Sequence, residues 1–346
     1  MTPKTFINLA VAAAVSVGVA SLLYTSKNRW ASGTASGEAV MPALGSRAND
    51  VAAVQLLQGD KALTLQRQGD VWAIKERDGY AALPDKVRTL VVQLAQSTLA
   101  ERKTQSQQRH GTLELEDPLT KDAKSRMVRL LDASGRSIGE IIVGKSRQEA
   151  FGSSKPGIYV RRPSEQQTWL AVGPIDVPLD AKDWVDRKIF ETDGNKITTL
   201  SWHAPGTPAK EAAKLKRTTG ADPTLAFEDV PTGKKVKGGE SGDGIARSYA
   251  RIELDDVRKA VAPDKEAKVG QATLQTADGM TVVFDAHAKN DETWLSLSAK
   301  GDGDAKTAAD ALNARVKGWQ FKIPAGTAGQ LFKPAADLFE ANDAKG

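Results

Sequence analysis

The 346-residue chain is 40% hydrophobic and 26% charged, a balance that excludes a fibrous or disordered protein and suits a folded chain long enough for two domains. It has no cysteine, which excludes disulfides, thiolate metal sites and a cysteine nucleophile. The 48 basic residues stand against 43 acidic ones, and a net charge of +5 is too even a balance to argue for nucleic acid as the main partner.

Residues 6–24 carry no charge and are mostly Ala, Val and Leu, between Lys4 on one side and Lys27 and Arg29 on the other. A helix of that length, at about 1.5 Å per residue, just crosses a hydrocarbon core. Residues 1–30 are therefore expected to be an N-terminal transmembrane helix acting as a signal anchor. The length of the run favours retention, although the small residues at 31–36 could host cleavage. No cysteine follows that could carry a lipid. A large folded part after one N-terminal span most simply lies outside the cell or in the periplasm, which makes this a single-pass protein of the inner (cytoplasmic) membrane. Residues 31–50, rich in Gly, Ser and Ala, read as a flexible linker.

A first α+β unit is expected over 51–192. Strand patterns at 51–57, 63–68 and 71–75 are separated by Gly59-Asp60 and Gly69-Asp70 turns. After Pro84, the residues Val87, Leu90, Val91, Leu94 and Thr98 recur at helical spacing. Strands 127–131 and 138–143 flank the turn Asp132-Ala133-Ser134-Gly135, and 157–161 and 168–172 are strand-like. A second unit over 193–340 repeats this grammar. It has a strand at 197–202, a helix with Leu254, Val257 and Val261 on one face, a hairpin of 271–275 and 280–285 about Asp278-Gly279, and Thr293-Trp294-Leu295 echoing Thr168-Trp169-Leu170. Each copy closes on a tryptophan, Trp184 and Trp319. The fold class is thus α+β: two tandem related units with a period of about 130 residues, each a mostly antiparallel sheet with one or two packed helices. The basic stretch 210–217 and the glycine-rich run 232–244 read as surface loops of the second unit, with RNA or phospholipid binding as the lesser alternative.

Several weak motifs then fall in a telling order. They are Leu65 to Gly69 with Trp72, the helix from Pro84, His110-Gly111-Thr112-Leu113-Glu114-Leu115-Glu116-Asp117-Pro118, Gly144 at a strand end, Tyr159-Val160, and Trp184 to Lys188. In this arrangement the stretch 51–189 resembles the bacterial family known as domain of unknown function 4340. The resemblance implies an N-terminal span, an exported region often of two such units, and a partner among ABC-type export systems, including the gliding-motility auxiliary kind. It carries over no catalytic residues. The second half follows the family pattern less clearly, and its inclusion rests on the internal repeat.

One string matches the phosphate-binding loop G-x-x-x-x-G-K-[ST] letter for letter: Gly139-Glu140-Ile141-Ile142-Val143-Gly144-Lys145-Ser146. Three of its four middle residues, Ile141, Ile142 and Val143, are β-branched and apolar, and no amphipathic helix follows, so the reading is a strand and not an ATP site. His110, His203 and His287 lack the short spacings of a metal site. Asp255-Asp256 and the pair Asp302 and Asp304 read as solvated turns rather than calcium ligands. No catalytic, cofactor-binding or metal residues are expected, and no cofactor. Trp169 and Trp294 are expected in the core at matching places, while Trp184 and Trp319 are either core or interface.

The functional expectation is a non-catalytic, membrane-anchored envelope protein: an accessory or scaffold subunit bound to an inner-membrane protein such as an ABC-type permease. No nucleic-acid partner and no particular oligomeric state are expected. The alternative is a periplasmic binding module for glycan or peptide, with its cleft between the two units.

Overall fold

The computed structural model describes residues 37–151, 155–204, 207–208, 211–261 and 268–342. The expected anchor at 6–24 lies outside the described residues. Among them no helix is long and apolar enough to cross a membrane. The described chain is α+β, with mostly antiparallel sheets and few helices. It divides into two compact units: the described residues up to Trp72 with Pro84–Leu179, and Ala73–Leu83 with the described residues from Asp180 on.

The first unit starts earlier than the linker reading expects. From residue 37 the chain is already part of the fold: Val40, Met41 and Leu44 are buried, and α1 (Leu44–Arg47) follows. The apolar residues among the Gly, Ser and Ala of this stretch have a core to enter, and that outweighs the flexible composition. Next come β1 (Ala53–Gln58), β2 (Lys61–Gln68) and β3 (Val71–Ile74), at whose second residue this part of the unit ends. After the excursion through β4 (Tyr80–Ala82), α2 (Pro84–Gln96) opens with proline and buries Val87, Leu90, Val91 and Leu94. Thr98, expected on that helix, instead begins β5 (Thr98–Arg102). The unit is completed by β6 (Arg126–Leu131), β7 (Ser137–Arg147), β8 (Gly157–Arg161) and β9 (Thr168–Val172).

Within this unit the strand order is β3-β2-β1-β6-β7-β8-β9-β5. Register is fixed by apolar alternation. Val54 stands between Leu65 and Leu130, all three buried, and a slip of one residue would turn them to water. The outer edge of β5 is covered by residues 37–40. Gly37 N donates to Leu99 O (3.1 Å), Leu99 N to Glu38 O (2.8 Å) and Val40 N to Ser97 O (2.9 Å).

In the second unit, β10 (Lys188–Glu191) pairs with β15 (Arg251–Glu253), and β14 (Lys234–Val236) with β21 (Phe339–Ala341). The main sheet contains β11 (Ile197–His203), β12 (Ala213–Arg217), β13 (Leu225–Phe227), β16 (Asp256–Lys259), β17 (Lys268–Thr276), β18 (Thr281–Lys289), β19 (Glu292–Lys300) and β20 (Trp319–Ile323). Its order is β13-β12-β11-β17-β18-β19-β20-β16. The helices are α3 (Gly242–Ala250), α4 (Asp304–Val316) and α5 (Ala325–Leu331). An aromatic chain fills this core: Trp202 to Tyr249 at 6.3 Å, Tyr249 to Phe284 at 5.8 Å and Phe284 to Phe190 at 5.5 Å between ring centres.

Three expectations for this unit are corrected. The helix proposed through Leu254, Val257 and Val261 is absent; β15 and β16 occupy that stretch, and Leu254, between the two strands, and Val257, on β16, are buried at a spacing that mimics a helical face. The helix lies just upstream, where Ser241 accepts from Gly244 N as its N-cap and Ile245, Ala246 and Tyr249 face inward. The stretches 210–217 and 232–244 are not simply loops, for they contribute β12, β14 and the first turn of α3. Trp169 and Trp294 are both buried, yet not at matching places: β9 lies between β8 and β5, whereas β19 lies between β18 and β20.

The turn between β6 and β7 is held by Asp132. Its carboxylate accepts from the Ser134 hydroxyl (2.6 Å), the Ser134 and Arg136 backbone N–H groups and the Arg47 guanidinium (3.0 Å), while Gly135 takes a positive φ of 80°. These bonds, the Ser134 hydroxyl first, hold the Asp132 carboxyl below the ordinary carboxylate range. A lowered native pKa contributes stability that is complete above the unfolded-state value of about 4 and lost as pH falls below it. Urea unfolding at pH 7 and pH 3 should therefore show the wild type losing more stability on acidification than Asp132→Asn. Equal losses would mean that the turn carboxylate is not the titrating group.

Candidate functional site

The site is built from the first unit upward. Residues 139–146, which spell a phosphate loop, lie within β7. Ile141, Ile142 and Val143 are buried, and Glu140 pairs with Arg129 at 2.7 Å. Apolar β-branched residues prefer the pleated sheet, so no backbone N–H nest forms.

Gly144 has a packing reason. A Cβ there would run into the Leu113 carbonyl oxygen and lie 2.7 Å from that of Glu114. The segment 107–125 thus crosses β7 where the strand has no side chain. At the same point β7 carries a bulge between Val143 and Ser146 against β8.

That crossing segment contains the run from His110 to Pro118 and is fixed by Arg161. The guanidinium is buried at 7% exposure, and every hydrogen bond it makes goes to a carbonyl: Leu115 O at 3.0 Å, Glu165 O at 3.2 Å, Pro163 O at 3.4 Å and Glu116 O at 3.5 Å. Burial pulls its pKa below the usual arginine value, against the opposing pull of Asp117 and Glu116. Glu116 in turn accepts from Ser125 N at 3.0 Å and from Lys124 N, and Leu115 enters a core cluster with Met127 and Ile142. His110 is buried, with Nε2 donating to Gln166 O at 3.0 Å, and burial lowers its pKa.

Between this segment, β6, β7 and β8 lies a cleft of about 640 Å³. Lys124, Arg126, Lys145, Glu114 and Asp176 line it, over Val143, Ile158 and Ile175. Lys145 Nζ donates to Thr112 O at 3.1 Å and Arg126 to Val177 O at 3.3 Å.

The other residues singled out by sequence do not join this cleft. His203 lies on β11 and His287 on β18, the latter 3.0 Å from the Ser296 hydroxyl. Asp255 pairs with Lys182 (2.6 Å), and Asp256 accepts both Arg77 contacts (2.6 and 2.9 Å), so neither is a free turn carboxylate. The Lys182 ammonium lowers the Asp255 pKa. Asp304 starts α4, beside Gly303. Among the described residues no group of three His, Asp or Glu side chains is placed to hold a metal. Trp184 is buried at 2%, whereas Trp319 is half-buried, edge-on to Tyr80 at 4.8 Å with the Lys259 ammonium over its face at 3.9 Å. Arg161, Lys124 and Arg126 were not anticipated. A charged residue closing the apolar strand Gly157-Ile158-Tyr159-Val160-Arg161 was the available signal for the first.

Fold and site together define an α+β protein of antiparallel sheets in which the one nucleotide-like string is structural. The family model described as Domain of unknown function (DUF4340) matches residues 72–270, more than half of the chain, and the chain belongs to that family. The match starts at Trp72 and continues past the first unit as far as Gly270, so it is not confined to the stretch 51–189 that carries the sequence resemblance. No curated protein and no solved structure matches.

Two substitutions test the crossing. Gly144→Ala should cost about 1–3 kcal/mol in urea unfolding, because backbone carbonyls must move. Arg161→Met should cost about 2–4 kcal/mol, since it strands buried carbonyls. A change below about 0.5 kcal/mol for both would show that the segment is not packed on β7.

Proposed function

We propose that the protein is a non-catalytic envelope protein, anchored by residues 6–24 in the inner membrane, whose folded part acts as an accessory or scaffold subunit of a membrane complex. The partner class we favour is the permease of an ABC-type exporter. The observation that carries the non-catalytic reading is the fate of residues 139–146. The only string with the spelling of a nucleotide-binding loop forms a strand, and its glycine gives room to Leu113 and Glu114 rather than to a phosphate.

Anchoring is supported by the uncharged run at 6–24 and by the early start of the fold. Because residues 37–40 already pair with β5, roughly a dozen positions separate the end of that run from the first unit, a reach of about 40 Å at full extension. The β5 edge would then lie close to the bilayer.

The two units are, in our reading, copies of one ancestral unit. Both sheets connect their strands in the same order, and Leu200 stands between Leu215 and Leu274 as Val54 stands between Leu65 and Leu130. Duplication explains a shared order and a shared register with one event.

Fractionation in the native host, combined with in-cell cross-linking, tests the function. The chain should stay with the membrane pellet through an alkaline carbonate wash and should cross-link to a multi-spanning permease. A full-length chain recovered from the soluble cytosol would overturn the proposal.

A further inference from the structure

We infer that the cleft of the first unit seats an extended acidic peptide segment of a partner protein, laid beside the overhanging end of β7. This rests on the docking reading above and gives it a place.

The strand lengths open the position. β6 begins at Arg126, opposite Val143, whereas β7 runs on to Arg147. Beyond Val143 its backbone pairs, among the described residues, with β8 alone. The chain before β6 turns away from the sheet because the Lys124 and Ser125 N–H groups are held by Glu116. An overhang of this kind leaves main-chain donors and acceptors for an added strand.

The charges select the occupant. Lys124, Arg126 and Lys145 line the cleft, and none of them is within ion-pair distance of a carboxylate among the described residues. Neutral carbonyls hold Arg126 and Lys145, which orients the cations without cancelling them. By contrast, three arginines elsewhere in this unit are paired with carboxylates: Arg47 with Asp132, Arg129 with Glu140 and Arg162 with Glu38. Glu114 and Asp176 also line the cleft and repel a continuous acidic run. The fitting segment therefore carries spaced carboxylates with apolar residues between them, which meet Val143, Ile158 and Ile175 on the floor.

The test uses the full-length chain in detergent and a fluorescein-labelled pentapeptide of alternating valine and glutamate, read by anisotropy. We expect saturable binding that weakens with salt, at least about tenfold weaker binding of the valine–lysine peptide, and at least about tenfold loss in the double variant Lys124→Glu, Lys145→Glu. Lys61→Glu, an exposed charge change on β2, controls for net charge and should leave binding unchanged. Both cleft lysines are exposed, and an unchanged thermal unfolding curve will confirm that the double variant is folded. The inference is overturned if the two peptides bind equally, if the double variant binds like the wild type, or if the acidic peptide fails to bind at about 1 mM. No partner is present in this assay, so its failure removes the cleft from the account while the cross-linking result bears on docking separately.

Discussion

Much of the first unit depends on one buried cation. Arg161 closes β8 and divides its donors between the Leu115 and Glu116 carbonyls, in a segment that has no strand or α-helix of its own, and the Pro163 and Glu165 carbonyls just after β8. Buried carbonyls need donors, and a guanidinium supplies several from one side chain in a fixed plane. The segment 107–125 can therefore lie against the sheet without being part of it. Its position then sets three others: the glycine at 144, the outward turn of the chain before β6, and the wall of the cleft that carries Lys124.

The second unit solves the same problem with apolar contact. Tyr249 on α3 is fully enclosed, its ring between Trp202 and Phe284, and its hydroxyl donates to the Leu331 carbonyl at the end of α5. Burial raises the Tyr249 pKa well above the usual tyrosine value, so the group stays a neutral donor. At one edge of the sheet, Arg77 grips Asp256 with both arms, and the cations of β16 cover rings, Arg258 over Trp294 and Lys259 over Trp319. Charged side chains on a terminal strand discourage further pairing, which is how sheets limit growth.

Those contrasts explain what could be read from the chain. The first unit was legible nearly strand by strand because its apolar residues alternate cleanly and its turns carry Gly-Asp or Asp-Ala-Ser-Gly; 157–161 and 168–172 match β8 and β9 to the residue. The helix from Pro84 was legible for the same reason, down to its four buried residues. Around 242–260 legibility failed. A nine-residue helix with two glycines in its first turn has little helical propensity of its own, and its formation depends on the pocket that receives Tyr249. The early start of the fold was hidden by composition, since Val40, Met41 and Leu44 are too few to stand out among small residues. The cleft was illegible for a different reason: Lys124, Arg126 and Lys145 meet only through the pairing of β6 with β7, and separated lysines carry no pattern.

The pairing of residues 37–40 with β5 also has a mechanical meaning. Any pull on the polypeptide from its amino-terminal side reaches the folded body first at the bonds joining Gly37, Glu38 and Val40 to Leu99 and Ser97. The arm lies along the outermost strand, so these main-chain bonds precede, in chain order, the enclosed side chains of Met41 and Leu44. The first unit thus begins with main-chain ties at a sheet edge, outside the enclosed side chains that hold the arm to the core.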